Sequence, residues 1–413
     1  MIQYFPTGES TLVGVGGIST YWANMMFCNA VASGATLGDV DDACRPALEI
    51  LRHGKTESSQ EFKSTLRNGF VAVGQNIERL SETDAAAGRL ISAGEKLVRV
   101  TALYMTAELL MDDSFDPAKA TIFSRYRSCF KHAIRYGAPS LQRIDLVSIP
   151  FEETTLEGAF LRCSDSRQPA PAVIHMNGGR SSLEWPQLVG IARAFAERGI
   201  SYLTFDHPGN GSAREAGLHY RHDSESFATA ALNYLEARSD VDPDRIGVCG
   251  ASLGGYYAPR AAAFDHRFKV CLVLGAFYEA SLVKYFGDLP CGYLEDPTAA
   301  AVIPPARATY LKQMRWAWGA ADNRDLYQRL LRFSLKGVME RIRAPLFIIH
   351  GQNDVEIPLL NAERMIREAV NSSKAELLIY TAKDGGDQHC SLDNINNALA
   401  RLADRAVDVL CKS

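Results

Sequence analysis

The pentapeptide Gly250-Ala251-Ser252-Leu253-Gly254 ends the short apolar run 245–249. A serine held between small residues at a sharp bend keeps its hydroxyl exposed, as a nucleophile at the top of a sheet requires. The pattern arises easily by chance in a chain with 32 glycines, so its surroundings decide its weight. Turn-forming residues 241–244 precede the apolar run, and the alanine-rich stretch 256–264, free of turn signals, follows. Turn, strand, bend and helix stand in the order of a nucleophile elbow, and Ser252 is the expected nucleophile.

A serine hydroxyl is a weak nucleophile at neutral pH. A histidine must take its proton, and a carboxylate must hold that histidine's tautomer. Two later segments offer these groups in the chain order serine, acid, histidine. Residues 345–354 read as a strand entering a Gly-containing loop that carries Asp354, and His389 stands in the loop after the last strand. Both lie just beyond the carboxyl ends of strands, where an open parallel sheet meets its ligands. Asp384 and Asp387 are nearer His389 in sequence but share its loop; Asp354, at the end of a separate strand, is the expected orienting acid. His350 reads as a structural strand-end residue, and His53, His132, His219, His222 and His266 as surface groups.

The tetrahedral intermediate needs two backbone N–H donors. Leu253, directly after the nucleophile and at the positive end of the next helix, supplies one. The loop 175–182 is expected to supply the other, from Gly179 or Arg180, because its paired glycines permit close backbone approach to a ligand. A plain turn is the alternative reading of that glycine pair. The loop 206–212 also contains Gly-x-Gly, yet it lacks the third glycine of a dinucleotide fingerprint and direct entry into a helix. It reads as a turn at the edge of the site.

Positioning these groups takes a sheet. Short apolar runs at 143–149, 155–163, 172–176, 200–205, 245–249, 269–274, 345–350 and 375–380 read as eight strands, the first two antiparallel. Helical periodicity at 187–198, 223–238, 252–264, 359–370 and 392–410 separates most of the later ones. The expected fold is α/β, a mostly parallel sheet covered on both faces. About 70 residues separate the sixth strand from the seventh, far beyond the ~10–15 of a crossover helix, so a helical cap is inserted at about 278–342. It holds Tyr285, Phe286, Tyr293, Tyr310, Trp316, Trp318, Tyr327 and Phe333, which either enclose an aromatic substrate or form the cap's own core. Three- and four-residue apolar spacing at 61–80, 84–111 and 117–136 makes residues 1–140 a helical lid or dimerisation region, ahead of a catalytic domain at 141–413.

Composition narrows the partners. With 44 basic against 48 acidic residues, the chain has no long-range pull toward nucleic acid or an anionic membrane. No apolar run approaches a membrane span, which leaves a small hydrophobic or aromatic molecule as the expected partner. Nine scattered cysteines, none spaced Cys-x-x-Cys, point away from a disulfide framework or zinc site. The N-terminus lacks the basic and apolar segments of a secretory signal, so a cytoplasmic setting is expected. Nothing in the sequence calls for a metal or organic cofactor.

The elbow, the loop Asp206-His207-Pro208-Gly209-Asn210-Gly211-Ser212, the run Gly351-Gln352-Asn353-Asp354 and His389 follow one another in an order that resembles the α/β-hydrolase superfamily over 141–413. With the helical N-terminal region, the cap and the ending Gln388-His389-Cys390, the whole chain resembles one group within it. That group holds 2,6-dihydroxypseudooxynicotine hydrolase, the fungal naphthopyrone-shortening hydrolases and the fermentation-respiration switch protein. The resemblance implies hydrolysis of a carbon–carbon bond in an aromatic or polyketide-like β-diketone by a retro-Claisen step at Ser252. It also implies a homodimer, and a glutamate beyond the elbow as auxiliary acid. Glu279 is the nearest candidate for that acid, and a cap-anchoring ion pair is its alternative role. A carboxylesterase, thioesterase or acyltransferase would use the same acyl-enzyme. The reading from another class, a non-catalytic binding or regulatory protein, is disfavoured by the intact set Ser252, Asp354 and His389.

Overall fold

The computed structural model describes residues 18, 21–111, 117–164, 168–282 and 305–412. The chain divides into two compact units, Met1–Gln142 and Arg143–Ser413. Among the described residues no helix is long and apolar enough to cross a membrane.

The first unit is helical: α1 (Tyr21–Ala32), α2 (Leu37–Arg52), α3 (Gln60–Ala86), α4 (Leu90–Leu109) and α5 (Pro117–Arg135). α2 was not among the elements that apolar spacing predicts, yet its start is written in the sequence. The Thr36 hydroxyl accepts from the Asp39 N–H at 3.1 Å and the Asp39 carboxylate accepts from the Thr36 N–H at 2.8 Å, a reciprocal cap. The helix expected over 84–111 is divided, because Gly88 takes φ +75° and ends the preceding helix. Lys119 and Glu108 form a buried ion pair at 2.8 Å, and the same ammonium donates to the Glu108 carbonyl at 2.9 Å.

The second unit is built on an eight-stranded sheet: β1 (Ile144–Phe151), β2 (Thr154–Leu161), β3 (Ala170–Met176), β4 (Ser201–Phe205), β5 (Val241–Ala251), β6 (Cys271–Leu274), β7 (Leu346–Gly351) and β8 (Ala375–Tyr380). Its order is β1-β2-β4-β3-β5-β6-β7-β8. β2 pairs antiparallel with β1 and β4, and every later pairing is parallel. Parallel neighbours need crossovers, and these are α6 (Glu184–Leu188) with α7 (Ile191–Ala196), α8 (Gly211–Glu215) with α9 (Ser224–Glu236), α10 (Gly254–Phe264), and later α13 (Leu360–Glu368). The helix expected over 187–198 is split at Gly190, which takes φ +90°. The turn expected at 241–244 is instead the first part of β5, and the loop 206–212 does open into a helix, the short α8 at Gly211.

Between β6 and β7 the described residues include α11 (Pro305–Trp318) and α12 (Asn323–Leu331), and α14 (Ile395–Leu410) closes the chain. Tyr285, Phe286 and Tyr293 lie outside the described residues, as does the side chain of Tyr310. Trp318 and Phe333 are buried in the core of this unit, Trp318 with its ring 4.5 Å from that of Tyr220 and Phe333 5.2 Å from Tyr256. Trp316 and Tyr327 pack half-buried against the same cluster. For these four aromatics the structural role is the one the packing supports.

α10 presses so close to β3 that a Cβ on Gly254 would stand 1.9 Å from the Met176 carbonyl oxygen. Gly254→Ala therefore forces backbone apart. The expected loss is about 2 kcal/mol or more, a fall of roughly 4–8 °C in the melting temperature of this unit by circular dichroism. An unchanged melting curve would contradict the close approach.

Candidate active site

Ser252 follows the last residue of β5 and takes φ +58°, a left-handed conformation rare for a residue with a side chain. The bend is held by the Ser252 N–H, which donates to the Leu274 carbonyl at 2.9 Å, and by the Gly255 N–H, which returns to the Ser252 carbonyl at 2.7 Å. Space for it exists because position 250 has no side chain: a Cβ there would lie 1.9 Å from the Gly254 carbonyl oxygen.

His389 reaches Ser252 from the loop after β8. Its Nε2 stands 3.0 Å from Ser252 Oγ and its Nδ1 2.8 Å from Asp354 Oδ2. The structure thus brings together three residues that lie 102 and 35 positions apart in the chain, 354 − 252 and 389 − 354. Asp354 is pinned from its other oxygen, which accepts from the Glu356 and Ile357 N–H groups, both at 2.9 Å. Cys390 and Ser391, directly after the histidine, take φ +50° and +54°, which turns the chain sharply away. The Asp393 carboxylate holds the other side of that loop by accepting from the Gly386 N–H at 3.0 Å and the Gln388 N–H at 3.2 Å.

The competing groups are engaged elsewhere. Asp387 accepts from Asn353 Nδ2 at 2.5 Å and thereby ties the two loops together. Asp384 closes a turn on Thr381, whose hydroxyl donates to it at 2.6 Å. His350 accepts the Ala276 N–H on Nδ1 at 3.0 Å and donates from Nε2 to the Ile357 carbonyl at 2.9 Å, a neutral ring that braces the Asp354 loop. Burial lowers its pKa in keeping with that role.

On the oxyanion side, the N–H groups of Leu253 and Gly179 are engaged by no other protein group among the described residues. The N–H of Arg180, the alternative candidate to Gly179, donates to Tyr220 Oη at 2.8 Å. Gly178 abuts Ser252, since a Cβ on it would stand 3.1 Å from Ser252 Cβ. Glu279 lies after β6, where its Oε1 pairs with Arg364 Nη1 at 3.1 Å and its backbone bridges Ser334, on the segment returning toward β7.

One group escaped sequence reasoning. Glu356 places its Oε2 3.9 Å from His389 Nε2, so the ring has a carboxylate near each nitrogen. The only signal in the sequence is an acidic residue two positions after Asp354. Burial opposes a charge on His389, but Asp354, followed by Cys390 and Glu356, outweighs it and lifts its pKa well above the ordinary imidazole value. Burial likewise opposes ionisation of Asp354, and the His389 ring beside it more than compensates, so its pKa falls.

Residues 173–405 match the Alpha/beta hydrolase family, more than half of the chain. The chain belongs to that family. It is a hydrolase by descent as well as by architecture. It is 28% identical over 349 residues, 83% of each chain, to 2,6-dihydropseudooxynicotine hydrolase of Paenarthrobacter nicotinovorans. It is 28% identical over 302 residues to hydrolase ORFZ of Pyricularia oryzae, covering 66% of this chain and 69% of that one. Among solved structures, 2,6-dihydroxy-pseudo-oxynicotine hydrolase superposes with a TM-score of 0.72 at 22% identity, over 93% of this chain and 95% of the other, which shares the fold.

The environment of His389 predicts its titration. Asp354, Glu356, His350 and Cys390 are the ionisable groups around the ring, and the two carboxylates favour its charged form. An NMR titration of the His389 ring should therefore have its midpoint above the ordinary imidazole value, with neutral ring only on the alkaline side. Glu356→Gln removes one anion and should bring the midpoint down. A midpoint indifferent to that substitution would remove Glu356 from the site's electrostatics.

Proposed function

We propose that the protein is a serine hydrolase whose nucleophile is Ser252, general base His389 and orienting acid Asp354, acting on a carbon–carbon bond of an aromatic or polyketide-like β-diketone. The observation that carries the serine-hydrolase reading is the continuous path from Ser252 Oγ through His389 to Asp354, at 3.0 and 2.8 Å, with the serine on a left-handed bend. The choice of a carbon–carbon bond is supported by the resemblance in loop motifs and architecture, and by similarity over 83% of the chain to a hydrolase whose name gives pseudooxynicotine as its substrate.

In this reading Ser252 Oγ adds to one ketone carbon as its proton passes to His389 Nε2. The oxyanion formed takes the N–H groups of Leu253 and Gly179, donors that need no reorganisation at the moment of reaction. The carbon–carbon bond then breaks, its electron pair leaving as the enolate of the second carbonyl, and the proton on His389 ends on that carbon. Water, deprotonated by His389, hydrolyses the acyl-serine to a carboxylic acid and frees Ser252. The balance is one diketone and one water to one acid and one ketone.

Glu279 has the surroundings of an anchor for the cap rather than of a proton donor, since Arg364 and Ser334 hold it. The helical unit serves as lid and dimer contact, the substrate is small and hydrophobic or aromatic, and the setting is cytoplasmic. An esterase, thioesterase or acyltransferase remains the second reading, because the acyl-enzyme is common to all.

A fluorophosphonate should add one label per chain, and Ser252→Ala should abolish it; an unlabelled parent protein or a labelled variant would overturn the nucleophile. Incubation with p-nitrophenyl esters and with aromatic 1,3-diketones then separates the two readings. Diketone cleavage is expected, whereas ester turnover without it would establish the second. Glu279→Gln should keep the diketone rate within about twofold and lower the melting temperature. A selective loss of rate would restore Glu279 as an auxiliary acid.

A further inference from the structure

The Gly209-Asn210-Gly211 motif supplies neither the nucleophile nor the base, yet its loop is tightly built. Asn210 is fully buried. Its Nδ2 donates to the Gly178 carbonyl at 2.8 Å and to the Ser181 carbonyl at 2.9 Å, spanning the two ends of the loop that faces Ser252. Both partners are acceptors only, so the amide can face them only with its NH2 group, and its orientation is fixed by chemistry.

We propose that Asn210 is the positioning residue of the oxyanion site: by holding the Gly178 carbonyl it aims the Gly179 N–H at the carbonyl oxygen under attack. This inference rests on the serine-hydrolase reading of Ser252. The Gly178 C=O and the Gly179 N–H belong to one planar trans peptide and point in opposite directions. Fixing the oxygen on Asn210 turns the N–H away from Asn210. The next peptide is fixed in the same way, because the Arg180 N–H is taken by Tyr220 Oη at 2.8 Å. Of two consecutive amides, one is held by the protein and the other is left for a ligand.

The clamp is itself clamped. The Asn210 N–H donates to the His207 carbonyl at 2.9 Å, and its own carbonyl accepts from the Arg214 N–H at 3.0 Å. A Cβ on Gly209 would fall 2.0 Å from the Tyr220 ring and one on Gly211 2.1 Å from the Asp206 carboxylate, so both flanks must be glycine. Asp206 binds the Ser212 N–H at 2.8 Å on one oxygen and the Leu183 N–H at 2.7 Å on the other, joining this loop to the far end of 178–183. Asn210 Oδ1 is buried with no partner among the described residues. A mere space-filling residue would avoid that desolvation cost by being apolar; the two donated bonds are what require an amide.

Asn210→Ala tests the clamp through the rate at which a fluorophosphonate labels Ser252 across pH. The phosphoryl oxygen of the probe uses the same donors as a carbonyl oxygen. The alkaline plateau should fall on the order of 10- to 100-fold, up to the loss of one oxyanion donor, while the midpoint of the pH profile stays where His389 sets it. A plateau within about twofold of the parent in a folded variant would overturn the proposal. So would a loss accompanied by a shifted midpoint, since that reports a displaced histidine. If circular dichroism finds Asn210→Ala unfolded, Asn210→Ser, too short to reach both the Gly178 and the Ser181 carbonyl, should lower the plateau by roughly 5-fold or more at unchanged midpoint, and no effect would overturn the clamp. Failure of the parent protein to be labelled would instead overturn the nucleophile, and the clamp with it.

Discussion

The catalytic unit is organised around one residue held in a backbone conformation that it disfavours. Ser252 at φ +58° stores of order 1–3 kcal/mol, and such strain survives only where the surroundings over-determine it. Here the determinants are the hydrogen bond from its N–H to β6 and the crowding of α10 against β3 and β5, which leaves no room for a side chain at 250 or 254. The sheet order follows from the same requirement: β5 sits between β3, which presents the oxyanion loop, and β6, which accepts the bend.

Electrostatics then set what the hydroxyl can do. His389 lies between Asp354 on one nitrogen and Glu356 near the other, so an imidazolium at this position is stabilised from both sides. Asp354 keeps its charge because two backbone N–H groups and the His389 ring offset its burial.

Much of this was legible in the sequence because a parallel sheet places every functional loop at the carboxyl ends of its strands, and strands announce themselves as apolar runs. Ser252, Asp354 and His389 each follow such a run, and they meet within hydrogen-bond distance. What stayed hidden depends on contacts between distant residues. The Tyr220 hydroxyl accepts the Arg180 N–H from 40 positions away, and Asn210 reaches Gly178 from 32. The aromatic content of the cap left substrate enclosure and cap core both open, and Trp318 and Phe333 are core residues facing Tyr220 and Tyr256, a distinction composition cannot make. α2 was missed although Thr36 and Asp39 carry its start, since its apolar face alternates with four acidic and two basic residues that blur the period.

Rapid acid quench of the enzyme with an aromatic 1,3-diketone, followed by peptide mass spectrometry, reads directly whether breaking the carbon–carbon bond leaves an acyl group on Ser252. The peptide containing Ser252 is expected to gain the mass of the acyl half of the substrate while the ketone half is already free in solution. Release of both halves with no acyl mass ever found on that peptide, under conditions where the quench stops turnover, would contradict this expectation.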